Sequence, residues 1–157
     1  MDTAIGIKED KLAEVGYILS KLLADEFVLY TKTRNAHWNV EGIDFAAKHK
    51  FFEEQYNKID DFMDDVAERI RTVGEYAPGT LAQFLELAHL TEKSRIKNDS
   101  AGFIRELLAD HESIIIYLRE NIGRLADEFK DYGTSDFMTG LLETHEKMAW
   151  MLRAHLG

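Results

Sequence analysis

Two histidines and three carboxylates are the residues of this chain best suited to chemistry. His37 and His49 flank a short connection, and Glu53, Asp64 and Glu68 follow them. Imidazole nitrogen and carboxylate oxygen together suit iron, manganese or zinc. The chain has no cysteine. That excludes disulfides, thiolate nucleophiles and sulfur-ligated metal sites.

On a helix turning about 100° per residue, with His49 at zero, Glu53 falls near ~40°, Asp64 near ~60° and Glu68 near ~100°. The four share one stripe. Asp60, near ~20° by the same count, is an accessory ligand or plain surface. The apolar residues of this segment, from Phe45 through Phe52, Tyr56 and Ile59 to Ile70, centre near ~300°. The polar stripe therefore flanks the apolar one. Metal sites inside a four-helix bundle use paired Glu-x-x-His motifs. This sequence has a single one, Glu86 to His89, on a short linking helix, so an intra-bundle site is poorly supported.

Eleven residues between Glu53 and Asp64 amount to about 16 Å of helical rise. No single metal centre can use both ends of the stripe from one chain. Two copies packed antiparallel about a two-fold axis would join one end of each to the other end of its mate, giving two equivalent composite sites. His37 fits the first half: it and His49 lie symmetrically about a hairpin centred near Ile43. The competing reading of these carboxylates is a solvated helix face.

The elements that must position these residues follow from periodicity and punctuation. A first helix is predicted from about Lys8 to Asn35, with Leu12, Val15, Leu19 and Leu22 on one face. Gly42 supplies a left-handed turn. Asp44 caps a second helix reaching about Val73. Thr80 and Gln83 form a capping box opening a short helix to about Leu90. Asp99 or Ser100 caps a third long helix. A break at Asp131 to Ser135 precedes a fourth, from about Asp136 to His155. The prediction is an all-α, ferritin-like four-helix bundle with a short extra helix in the long middle connection, forming one domain over residues 1–157.

Composition sets the remaining limits. The first residues carry acids and no long apolar run, so no signal peptide or membrane span is expected, and a cytoplasmic location is the default. A formal net charge of -10, with no basic tail, opposes nucleic-acid binding. His111 reads as a hydrogen-bonded core histidine, while His145 and His155 show no ligand pattern. Met148 and Met151 read as packing residues.

The segment His37-Trp38-Asn39-Val40 with Gly42 and His49, the run Phe52-Glu53 to Tyr56, and Asp64 through Ala67-Glu68-Arg69 resemble the signature of the Dps family of miniferritins. The resemblance continues to Trp150 and His155. It implies a ferroxidase centre of His37, His49 and Glu53 from one subunit and Asp64 and Glu68 from its two-fold mate. Many members carry Asp where Glu53 stands. It further implies a homo-oligomer, a hollow shell of twelve subunits built from two-fold dimers. Such a shell takes up Fe(II), oxidises it preferentially with hydrogen peroxide and stores Fe(III) mineral. Asp131 and Asp136, around Thr134, match the family's acidic pore spacing, with Asp127 a weaker candidate; ordinary helix capping is the other explanation. Trp38 would quench stray radicals or simply pack. Many such cages condense DNA through lysine-rich tails; this chain lacks one, so direct binding is expected to be weak or absent. The alternatives to an iron-oxidising cage are a DNA-binding protein of starved cells and a structural or adhesive cage. The intact ligand set argues against the last.

Overall fold

The computed structural model describes residues 3–157, so Met1 and Asp2 of the expected single domain lie outside the description. The described chain forms α1 (Glu9–Asn39), α2 (Phe45–Thr72), α3 (Leu81–Leu87), α4 (Ser100–Asp127) and α5 (Tyr132–Ala154). α1 packs chiefly against α2, and α4 against α5. Each pair is joined by a tight turn, so each is an antiparallel hairpin. The long crossover from Val73 to Asp99 carries α3 and joins the two hairpins. This is the ferritin-like arrangement.

Apolar faces of the four long helices meet in one core. Leu19, Leu22 and Leu29 of α1, Phe52, Ile59 and Ile70 of α2, Ile104, Ile114 and Leu118 of α4, and Met138 and Leu152 of α5 are all within 2% of complete burial. Lys32 of α1 ties the second hairpin to the first. It is 8% exposed and meets Asp110 at 2.6 Å and Glu106 at 3.0 Å on α4. It also donates to the Thr91 carbonyl of the crossover.

The turns follow their sequence signals. Gly42 sits at φ +127°, a conformation that side chains with a Cβ rarely adopt. Thr80 and Gln83 make the full capping box: the Thr80 hydroxyl accepts from Gln83 N–H while Gln83 Oε1 accepts from Thr80 N–H. Asp99 caps α4 by accepting from Gly102 N–H.

Several boundaries differ from expectation. α1 runs past Asn35 to Asn39, because its last turn is held by the hairpin packing described below. α3 stops at Leu87, where the chain extends along α1. Asp44 occupies the N-cap position of α2 without a capping bond; its carboxylate instead accepts from the Ser100 hydroxyl at 2.7 Å. The largest correction is α5, which begins at Tyr132 rather than Asp136, capped by Asp131. Among the described residues, no helix is long and apolar enough to cross a membrane.

Candidate metal centre

The extra turn at the end of α1 carries His37, and the first turns of α2 carry His49. His37 Nδ1 lies 2.7 Å from the His49 carbonyl oxygen, and His49 Nδ1 lies 2.7 Å from the His37 carbonyl oxygen. A carbonyl can only accept, so each Nδ1 holds a proton. Each neutral ring must then present a lone pair at Nε2. The His37 carbonyl is free for this duty because it lies in the last turn of α1, where intrahelical donors have run out. The two rings stack with centroids 3.8 Å apart and planes 22° apart. The hairpin thus presents two side-by-side nitrogen donors in fixed tautomers. A second ring nitrogen bonded to a carbonyl is the usual support of a metal-binding histidine.

Aromatic packing fixes this pair from behind. The Tyr56 ring meets His37 edge-on at 5.2 Å, and Tyr30 meets Tyr56 edge-on at 6.0 Å. Arg34 lies 4.5 Å from the Tyr56 centroid and 5.2 Å from that of Trp38. It donates to the Tyr30 hydroxyl at 2.7 Å, and that bond raises the guanidinium above its ordinary pKa. Trp38 is 63% exposed.

Glu53, Asp64 and Glu68 are all exposed on α2. Among the described residues, no three His, Asp or Glu side chains of one chain converge as a metal-ligand set. The structure therefore brings His37 and His49 together and leaves Asp64 and Glu68 further along the same helix. Asp64 borders a groove of about 690 Å³ lined by Leu23, Phe27, Met63 and Phe84, with Asp60, Asp61 and Asp65 also at its edge.

The two acids expected at a pore part company. Asp131 is 3% exposed and accepts from Thr134 N–H at 2.9 Å, the Thr134 hydroxyl at 2.5 Å and Arg69 Nη2 at 3.3 Å. Within the subunit its carboxylate is engaged as a helix cap and ion-pair partner. Asp136 and Asp127 are exposed.

Sequence reading missed two polar clusters. His145 Nε2 lies 2.7 Å from Glu26 Oε1, and its Nδ1 lies 2.9 Å from His111 Nδ1. All three side chains are within 1% of complete burial. Burial first, and the neighbouring His145 second, hold His111 well below its ordinary pKa of 6.5. Their sequence signal was weak, because each lies on a different helix: α1, α4 and α5. The second cluster joins Asp25, His89 and Ser113 and is taken up below.

Residues 17–157 match the sequence profile of the ferritin-like domain family. A solved Dps structure from Vibrio cholerae, described as belonging to a broad superfamily of ferritin-like diiron-carboxylate proteins, superposes with a TM-score of 0.92 at 30% identity. It covers 98% of this chain and 96% of its own. This chain belongs to the Dps family. DNA protection during starvation protein 2 of Bacillus anthracis is 34% identical over 139 residues, covering 88% of this chain and 94% of its own length. A low temperature-induced protein of Nostoc is 41% identical over 152 residues, covering 97% and 85%. Within a Dps frame, the exposed stripe on α2 and the imidazole pair at its head are the donor set to consider for iron.

Proposed function

We propose that this Dps chain binds ferrous iron as substrate at composite sites between two-fold-related subunits and oxidises it, preferentially with hydrogen peroxide. The reading further holds that twelve subunits enclose the resulting ferric mineral in the cytoplasm. The observation that carries it is the reciprocal clasp of His37 and His49, which engages both Nδ1 atoms and reserves both Nε2 atoms as donors. Histidines kept only for packing would not need both tautomers fixed in this way. Glu53 would add an anionic oxygen to this half, and Asp64 and Glu68 of the mate would supply the rest.

The protein's part is placement. Two ferrous ions held together each give one electron. Peroxide takes both electrons with two protons and leaves as two waters, so no hydroxyl radical is released. The carboxylates favour the more highly charged ferric product. Exposed Asp136 would border the path of iron into the shell, with Asp131 holding the adjacent helix start. The net charge of -10 opposes direct DNA binding, although relatives are named for DNA protection.

The test adds peroxide anaerobically to iron-loaded protein and follows ferric absorbance. His37→Ala and Glu68→Ala should each slow oxidation at least about tenfold, the usual lower bound for losing a metal-site contact. Oxidation in the parent no faster than that of iron in buffer would reject the reading.

A further inference from the structure

Asp25 of α1, His89 of the crossover and Ser113 of α4 form a hydrogen-bonded line. Asp25 is 1% exposed. Its Oδ1 accepts from His89 N–H at 2.8 Å and Leu90 N–H at 3.0 Å, while its Oδ2 lies 2.5 Å from His89 Nδ1. A buried carboxylate held by two backbone donors is an acceptor, so His89 Nδ1 carries its proton toward it. The lone pair of the neutral ring is then at Nε2, 3.1 Å from Ser113 Oγ. The serine hydroxyl donates there. The His89 side chain is 44% exposed and Ser113 is half-buried, so the reactive end faces solvent while the acid is inside. Backbone anchoring of the crossover would need only the two N–H bonds to Asp25. It does not require an imidazole directed at a hydroxyl.

We propose that Ser113 is a nucleophile activated by His89, with Asp25 as the positioning residue, and that it accepts acyl groups from small activated esters. Orientation of a base by a third group, with the base in reach of a hydroxyl, is the arrangement that activates serine on unrelated folds. Ser113 Oγ bonds to the acyl carbon, its proton passes to His89 Nε2, and that proton leaves with the departing alkoxide. Water then attacks the acyl-serine, gives its proton to His89, and Ser113 regains a proton as the acid departs. Ser113 lies inside α4, whose backbone N–H groups are spent on the helix, so no pair of backbone amides meets the developing negative charge. The site therefore suits esters with good leaving groups. It shares no residue with the iron site.

The test treats the assembled protein with a fluorophosphonate probe and, separately, with p-nitrophenyl acetate, and maps adducts by peptide mass. The expected result is a dominant adduct on Ser113, absent in Ser113→Ala and formed at least about 100-fold more slowly in His89→Gln, the lower range for loss of a general base. Asp25→Asn should slow labelling and shift the His89 proton from Nδ1 to Nε2 in imidazole nitrogen spectra, with iron oxidation unchanged. A bare Ser113 beside labelled lysines, or equal labelling in His89→Gln, would overturn the proposal. So would a wild-type His89 protonated only at Nε2.

Discussion

Each histidine pair in this chain has a different task, set by what its second nitrogen meets. At His37 and His49 both Nδ1 atoms are bound to carbonyls, and neither Nε2 has a hydrogen-bond partner among the described residues. At His111 and His145 the rings face each other inside the core. That core pair has a consequence for stability. Because its folded pKa is depressed, His111 binds a proton more readily in the unfolded chain. The stabilisation is complete above the unfolded value of 6.5 and is lost as pH falls below it. One such group contributes a slope of up to about 1.4 kcal/mol per pH unit. Urea midpoints at fixed protein concentration should therefore fall between pH 7.5 and 5.5 more steeply in the parent than in His111→Gln, which cannot take the charge. Parallel curves would show that His111 accepts a proton in the folded state. The core placement of His111 was readable from the apolar residues around it in sequence. Its partners were not, since a hydrogen bond between α4 and α5 and a second to α1 leave no local spacing.

Helix starts were legible where capping residues precede an apolar run, as at Thr80 and Asp99, and misleading where turn-forming residues fall inside a helix. Gly133, Thr134 and Ser135 read as a break after Asp131. In the structure they form the first turn of α5, because Asp131 caps it and Arg69 of α2 reaches across to both Asp131 and Thr134. Thr134 is fully buried and Ser135 donates to the Ile122 carbonyl. Long-range bonds thus satisfy residues that in isolation favour turns. Asp131→Ala should lower stability by about 1–2 kcal/mol, the cost of a lost cap, read as a shifted denaturation midpoint. Asp136→Asn should leave that midpoint in place and slow iron uptake. An Asp131→Ala protein of unchanged stability but slow uptake would transfer the pore role to Asp131.

At the scale of the whole molecule, the exposed polar stripe on α2 was legible from helical periodicity, and helical rise alone separates Glu53 from Asp64. What the sequence lacked was the clasp that holds the two imidazoles, since it pairs side chains with backbone carbonyls across the hairpin, one of them, that of His37, left open by the end of α1. The composite reading makes a prediction about mixing that no single-chain site can imitate. His37→Ala spoils the histidine half of a subunit and spares its Asp64 and Glu68. Glu68→Ala does the reverse. In a two-fold dimer with one subunit of each kind, one site receives both defects and the other receives none. Random co-assembly of equal amounts makes about half the dimers mixed, with one intact site of two in each, so about a quarter of parental peroxide-driven oxidation should return. Each variant assembled alone should keep no more than about a tenth of parental activity. Unfolding the two together, refolding them as a mixture and measuring ferric absorbance after peroxide decides the matter. Activity of the mixture no higher than the average of the separate variants would mean that each site belongs to one chain, and the two-fold arrangement of iron ligands would have to be abandoned.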